Sequence, residues 1–300
     1  METAAQPTTS ASWTLRLPRG RRLELGGAPR VMGVLNLTPD SFSDGGLWTD
    51  PRRAVEHGLR MLAEGADLLD LGAESTRPGG GVYGEGARTV SAAEELERLL
   101  PVLEPLRAAT AAPLSVDTRK AEVARRALAA GADLVNDVSA LADPALGRAV
   151  AAAGCPLVLM HSRGDLATMQ TGIHYDDLLA DVRAELALAV DRAAAAGISR
   201  GQLILDPGIG FGKTAAQNLT LLRRLDVFAE LGRPLLLGAS RKSFIGRLTD
   251  APPAGRVPGS LAAVAWAASL GAAVVRVHDV AETVQFLTVW RAIAAAEGEG

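Results

Sequence analysis

Eight short apolar runs in 300 residues, each followed by a turn and an alanine-rich stretch of helical period, constrain this chain more than any other feature. The runs cover residues 31–35, 68–71, 114–116, 134–136, 157–160, 203–205, 235–237 and 274–277. None alternates polar with apolar residues, which is the pattern of parallel strands covered on both faces. Between them the helical period is plain: Leu96, Leu99, Leu100, Leu103 and Leu106 line one face after the second run. Gly65, Gly131 and Gly271 stand where one helix must stop and the next strand begin. Strand and helix alternating eight times over about 270 residues point to an α/β fold, a (β/α)8 TIM barrel. A doubly wound open sheet is the alternative, but such sheets more often stop at about five or six strands. Residues 13–26, with Pro18 and Gly20 at their centre, read as a β-hairpin closing the barrel bottom. The organisation expected is a disordered tail over 1–12 and one barrel domain over 13–296.

Composition narrows the class. At 48% hydrophobic and 22% charged, the chain has the make-up of a globular protein rather than a disordered or collagenous one. A lone cysteine, Cys155, excludes a disulfide scaffold. With a net charge of −3 there is no basic field for nucleic acid, which is excluded as a partner. The longest apolar stretch, 261–275, is interrupted by Ser269 and Gly271. It falls short of the roughly 20 residues a membrane span needs, so no membrane partner is expected. Residues 1–13 lack the basic and apolar regions of a signal peptide, and the cytoplasm is the expected location. Only three of the 31 basic residues are lysine: Lys120, Lys213 and Lys242. In a chain so biased to arginine, the positions that stay lysine are candidates for sites needing a compact ammonium.

In a TIM barrel the chemistry belongs at the C-terminal ends of the strands. Asn36 to Gly46 and Glu74 to Gly81 follow the first two runs, and Asp117, Asn136-Asp137 and His161 follow the next three. Asp206 to Lys213, Ser240-Arg241-Lys242 and Arg276-Val277-His278-Asp279 complete the rim. Each residue alone has a bland reading. Asp117 or Asp137 could cap a helix, His278 could be a satisfied buried imidazole, and Arg77 and Arg241 could be solvated charges. Lys120 reads as a surface charge and Lys213 has no assignable role. Polar groups gathered on all eight loops favour a site. The segment Gly208 to Thr214 matches neither nucleotide-binding glycine motif, because Pro207 and Lys213 stand where glycines are required. No zinc-spaced Cys/His cluster and no Gly-x-Ser-x-Gly elbow is present in the sequence.

Asp117, Asn136 and Asp206 facing Lys242 suit a flat heterocycle with a guanidine-like donor edge and a carbonyl or imine acceptor edge. A pterin has that pattern. Arg77, Arg276 and His278 form a cationic group suited to a diphosphate, and Asn36 with Asp44 offers oxygen ligands for Mg2+.

With these residues the chain resembles the dihydropteroate synthase family from Val31 to about Leu287. The likeness is carried by Gly33-Val-Leu-Asn36-Leu-Thr-Pro-Asp-Ser-Phe-Ser-Asp44-Gly-Gly, Asp70-Leu-Gly-Ala-Glu-Ser-Thr76-Arg77-Pro-Gly, Ser115-Val-Asp117-Thr and Val135-Asn136-Asp137. Leu159-Met160-His161, Asp206-Pro-Gly-Ile-Gly-Phe211-Gly-Lys213, Gly238-Ala-Ser240-Arg-Lys242-Ser and Arg276-Val-His278-Asp continue it. The resemblance implies condensation of a dihydropterin methyl diphosphate with 4-aminobenzoate, giving 7,8-dihydropteroate and pyrophosphate. It implies Asp117, Asn136, Met160, Asp206 and Lys242 for the pterin, and Asn36, Thr76, Arg77, Arg276, Val277 and His278 for the diphosphate. For aminobenzoate it implies Phe42, Pro78, Phe211, Ser240 and Lys242, and for Mg2+ Asn36 and Asp44. Asp117, Lys242, Arg77 and Asp44 are the expected catalytic set, and a homodimer the expected assembly. Mechanistically it implies loss of pyrophosphate first, leaving a pterin methylene cation that the arylamine captures.

The first two loops, with Gly45, Gly46 and Gly79 to Gly81, have the composition of lids. They are expected to order after diphosphate and Mg2+ bind. One departure from the family is small: Ser-Arg-Gly-Asp-Leu-Ala follows His161, where a proline and a lysine are usual. Two other readings share the barrel, a methyltetrahydrofolate-corrinoid methyltransferase and a pterin-binding paralogue without synthase activity. The diphosphate grip argues against the first, and the complete set of anchor residues against the second.

Overall fold

The eight apolar runs become the strands of one parallel sheet in the computed structural model, which describes residues 12–38, 50–75, 89–164 and 168–296. A hairpin, β1 (Trp13–Arg16) and β2 (Arg22–Leu25), precedes the sheet. The first half then runs β3 (Arg30–Asn36), α1 (Pro51–Ala63), β4 (Leu68–Gly72), α2 (Ala92–Ala109), β5 (Leu114–Asp117), α3 (Ala121–Ala129), β6 (Leu134–Asp137) and α4 (Pro144–Ala153). It continues with β7 (Leu157–Met160), α5 (Leu178–Ala195), β8 (Leu203–Asp206), α6 (Ala215–Arg223), β9 (Leu236–Leu237), α7 (Ser243–Thr249), α8 (Val257–Ser269), β10 (Val274–Val277) and α9 (Val280–Ala295). Strand order is β8-β7-β6-β5-β4-β3-β10-β9. A single parallel bridge, Leu205 to Leu235, joins the two ends and closes the barrel. The run at 235–237 is shorter as a strand than its sequence suggests: Leu236 and Leu237 pair with β10, while Leu235 makes the isolated bridge to Leu205 and its carbonyl accepts from the Ala273 and Val274 N–H groups. Two helices, α7 and α8, follow β9 where one was expected.

Helix ends are set locally. Asp50, Ser91, Asp143 and Asp177 accept from backbone N–H groups at the starts of α1, α2, α4 and α5, and Thr214 and Gln217 form a capping box on α6. Gly131, after α3, has φ +114° and is wedged so tightly that a Cβ would lie 2.4 Å from Arg107 Cγ. Only glycine fits that stop.

Period two along each strand sorts the side chains. One set, including Leu69, Leu71, Val116, Leu157, Leu159 and Val275, faces the helices and is buried there. Leu99, Leu103 and Leu106 of α2 meet that layer fully buried, at about 2 kcal/mol per leucine side chain. The other set faces inward: Met32, Leu68, Leu134, Val158, Ile204, Leu236 and Val274 pack with Leu15, Leu17, Leu23 and Leu25 of the hairpin. The hairpin thus plugs the barrel bottom. Buried Asp133 locks it there by accepting from Arg19 (2.6 Å), Arg107 (2.9 Å) and Arg21. Above the plug, the next inward positions are Asn36, Asp70, Gly72, Asp117, Asn136, Met160, Asp206, Gly238 and Arg276. The fold thereby collects them at one mouth.

Lys120 is not a surface charge. Its ammonium lies 2.6 Å from Glu95 Oε2 and 2.9 Å from Glu74 Oε2, and the Glu95 side chain is fully buried. Among the described residues no helix is long and apolar enough to cross a membrane.

Candidate active site at the barrel mouth

Neighbouring strands bring the acids and amides into register. Gly72 pairs with Asn36 on one side and Asp117 on the other, and Asp117 pairs with Asn136. Asp70 Oδ2 accepts from Asn136 Nδ2 at 2.9 Å and from Arg276 Nε at 2.7 Å. A second guanidinium nitrogen of Arg276 donates to Asp117 Oδ2 at 3.1 Å. Asp70 Oδ1, Asp117 Oδ1 and Ser115 Oγ are buried without a hydrogen-bond partner among the described residues. Buried polar atoms are rarely left so, and a polar ligand would complete them. Asp70 was not among the expected site residues. The signal was present, since an aspartate inside the apolar run 68–71 has no place facing helices.

On the far side Asp206 Oδ1 accepts from the Gly208 N–H at 2.7 Å, and the Lys242 ammonium donates to the Ile209 carbonyl. Lys242 Nζ also sits 4.7 Å from the Phe211 ring centre. Two inward glycines keep the space between these walls open. A Cβ on Gly238 would lie 3.8 Å from Asp206 Oδ2 and 4.0 Å from Lys242 Nζ, and one on Gly72 would lie 3.6 Å from Asp117 Cβ. The hollow is walled by a carboxylate and an amide on one side and an ammonium on the other, the pattern of a two-edged heterocycle.

Electrostatics follow from burial. Desolvation, then the charge of Asp70, pushes the Asp117 carboxyl up to about 8 against the pull of Arg276. Burial also raises Asp206, opposed by Lys242, and draws Lys242 down to about 8. Arg276 is held above its usual range because Asp70 and Asp117 outweigh its desolvation. His278, whose Nδ1 is 3.0 Å from Ser240 Oγ, is pushed down to about 3 by burial and then by Arg276, Arg241 and Lys242. The imidazole is therefore neutral. Of the expected cationic group, His278 carries no charge, while Arg276 stays cationic, bonded to the Asp70 and Asp117 side chains.

Other sequence-selected residues divide cleanly. Asn36, Asp117, Asn136, Met160, Asp206, Lys242, Phe211, Ser240, Arg276 and His278 lie around the mouth. The Val277 side chain is buried in the layer between sheet and helices, which leaves only its backbone, between Arg276 and His278, at the mouth. Asp137 does not cap a helix, since Asp143 caps α4; its carboxyl group accepts from the Ser139 and Leu141 N–H groups at 2.8 and 2.6 Å and shapes the turn after β6. Arg241, at φ +56°, is no solvated charge but bonds Asp279, while its N–H donates to Ser260 Oγ and so fixes Lys242 beside it. Phe42, Asp44, Thr76, Arg77 and Pro78, together with both expected lids, lie outside the described residues.

A family of pterin-binding enzymes matches residues 32–278, nearly the whole barrel. The chain belongs to this pterin-binding enzyme family. Within it, the dihydropteroate synthase of Synechocystis is 47% identical over 92% of this chain and 95% of its own length. The crystal structure of the Yersinia pestis dihydropteroate synthase with a sulfonamide drug complex superimposes with a TM-score of 0.89 at 45% identity, covering 94% of this chain and all (100%) of that one. The Xanthomonas albilineans dihydropteroate synthase in complex with 7,8-dihydropteroate has a TM-score of 0.81 at 49% identity, with 93% and 98% covered. The two solved structures share the TIM barrel of this chain.

Proposed function

We propose that this chain is a transferase that condenses (7,8-dihydropterin-6-yl)methyl diphosphate with 4-aminobenzoate, yielding 7,8-dihydropteroate and pyrophosphate. The observation that carries the reading is the mouth itself: Asp117 and Asn136 stand on one side and Asp206 with Lys242 on the other, with the inward glycines Gly72 and Gly238 leaving the space beside them open. Asp206 and Asn136 accept from and donate to the guanidine-like edge of the pterin, and the Lys242 ammonium donates to its acceptor edge. Met160, on β7 beside Asp206, packs on the ring face. Asp117 is neutral when the mouth is empty. Positive charge developing on the ring favours its ionised form, so the carboxylate stabilises the methylene cation as the C–O bond breaks. Arg276 shares its guanidinium between Asp70 and Asp117, and holds Asp117 in place while facing the departing diphosphate with His278. The arylamine is already nucleophilic when neutral; Phe211 and Lys242 form one wall of its pocket, with Ser240 holding His278 behind.

Mg2+ is the cofactor we propose. Among the described residues no cluster of three His, Cys, Asp or Glu side chains could hold a metal ion alone. The chemistry of the donor set nonetheless fits one shared with substrate phosphates: Asn36 offers an amide oxygen at the rim, and Asp44 is its proposed partner. When bound, the ion supplies positive charge to the diphosphate oxygens. Thr76 and Arg77 are proposed for the same phosphates, and Phe42 and Pro78 for aminobenzoate.

The unit proposed to act is residues 13–296 with 1–12 as a tail. A homodimer is supported by exposed apolar side chains on three successive helices, Leu248 on α7, Trp266 on α8 and Ile293 on α9. With a single, buried cysteine, Cys155, the chain makes no use of disulfides, which fits a reducing compartment, and we propose the cytoplasm. Pyrophosphate release by purified protein tests the activity. It should require both substrates and be blocked by a sulfonamide; no aminobenzoate-dependent release defeats the assignment.

A further inference from the structure

Lys213 is 2% exposed and its ammonium is matched to three acceptors. It donates to the Gly208 carbonyl at 2.9 Å and the Phe211 carbonyl at 2.8 Å, and lies 2.9 Å from His161 Nδ1. Three hydrogens on one nitrogen meet three acceptors, which requires Nδ1 of His161 to accept. The His161 proton is then on Nε2, and it faces Glu185 Oε2 at 2.9 Å. Burial draws Lys213 itself down to about 7, opposed by the charge of Asp206, so its ammonium depends on these acceptors. Burial, then Lys213, pushes His161 down to about 4, while the bond to His161 and the Arg163 guanidinium draw Glu185 down to about 2. The imidazole is neutral and the carboxylate is charged.

What the ammonium holds is the loop between β8 and α6. Its backbone presses directly onto the chain after β7: Gly208 has φ +70°, and a Cβ there would lie 1.8 Å from the His161 carbonyl oxygen. Gln170 donates to the Gly210 carbonyl at 2.6 Å, Tyr175 to the Gly212 carbonyl at 3.0 Å, and Gly210 N–H donates to Asn218 at 2.7 Å. Carbonyls of Gly208 and Phe211 thus turn inward to Lys213. Between them the Ile209 carbonyl turns toward Lys242, and the Phe211 ring lies beside the same ammonium. One end of the loop bears Asp206 and the other bears Phe211. Arginine cannot replace this lysine, because its donors diverge over a planar fork instead of converging on one atom.

We propose that Lys213 is a positioning residue, its buried ammonium braced by His161 and Glu185 and fixing the loop that presents Asp206 to the pterin and Phe211 with Lys242 to the aminobenzoate. The inference rests on the function proposed above. It accounts for a lysine and a glycine-rich segment that the nucleotide motifs do not explain.

The test compares wild-type protein with Lys213→Met and Glu185→Gln. Methionine keeps the volume and removes the donors. Glutamine leaves one side-chain oxygen to serve both His161 and Arg163, so it loosens the brace from its partly exposed end and without burying a charge. Calorimetry with a pterin lacking the diphosphate, and separately with inorganic pyrophosphate, is the direct readout; steady-state kinetics is the second. Lys213→Met should weaken pterin binding and raise KM for aminobenzoate by tenfold or more, with kcat changed less than threefold. Glu185→Gln should move both in the same direction by about threefold. Pyrophosphate binding, held on the β10 side, should stay within twofold in both variants. Pterin binding within twofold of wild type in Lys213→Met and Glu185→Gln overturns the proposal, and so does a loss of pyrophosphate binding in step with pterin, which marks general damage to the barrel. Should Lys213→Met not fold, Glu185→Gln decides. A wild-type protein that binds no pterin overturns the functional reading and this inference together, whereas normal wild-type binding with unchanged variants overturns this inference alone.

Discussion

Replacing Asp117 with asparagine separates what the mouth does for catalysis from what it costs in stability. The carboxyl is 7% exposed, has one buried oxygen without a partner, and is pushed up from 3.8 to about 8. Between those two values the folded chain holds a proton that the unfolded chain has released. Stability therefore falls as pH rises from about 4 to about 8, the reverse of a salt-bridged carboxylate. By pH 7 about three pH units of that window have been crossed, and at ~1.4 kcal/mol per unit the burden is about 4 kcal/mol. Asparagine carries none of it. It also replaces the carboxyl oxygen that accepts from Arg276 with an amide oxygen whose NH2 must be accommodated beside it, which returns about 1–2 kcal/mol. Asp117→Asn should thus be more stable than wild type by about 2 kcal/mol at pH 7 and no more stable near pH 4.5. Urea unfolding followed by circular dichroism at pH 4.5, 7 and 8.5 measures both. In the same protein, pyrophosphate release should fall by about a hundredfold or more, because the developing cation loses its counter-charge. A stability difference that does not change with pH would refute the electrostatic account, and undiminished turnover would refute the role.

Gly238→Ala adds a methyl at ordinary contact distance from Asp206 and Lys242, so the fold should survive while KM for the pterin substrate rises about tenfold, read by steady-state kinetics with thermal melting as control. Lys120→Met removes the partner of fully buried Glu95; melting should show a loss of about 3 kcal/mol, relieved in part by a Glu95→Gln second change. Gly208→Ala drives a methyl into the His161 carbonyl, and expression with melting analysis should find it misfolded or strongly destabilised.

Much of this was legible in one dimension. Eight apolar runs without alternation, separated by helical period, contain the parallel barrel, and the hairpin at its bottom could be read from leucines flanking Pro18 and Gly20. The rim residues Asp117, Asn136, Asp206 and Lys242 were likewise visible as polar breaks at strand ends, because an aspartate ending an apolar run has few other reasons to be there. Chain order alone determines these features, since each depends on local period or on composition within a few residues.

Charge and partnership were decided only when the strands closed. His278 looked like a cation and is neutral, because burial desolvates it and Arg276 of its own strand, with Arg241 and Lys242 of the loop after β9, surrounds it with positive charge. Lys120 looked like a surface charge until α2 and the loop after β4 brought Glu95 and Glu74 to its ammonium. Asp70 and Arg276 are 206 residues apart in sequence and 2.7 Å apart in space. Desolvation and long-range pairing depend on what surrounds a group in three dimensions, so no reading of neighbours along the chain could supply them. The three lysines show both halves: their rarity marked them in the sequence, and the barrel gave each ammonium a different buried partner, Glu95 for Lys120, two carbonyls and an imidazole for Lys213, and the Ile209 carbonyl for Lys242.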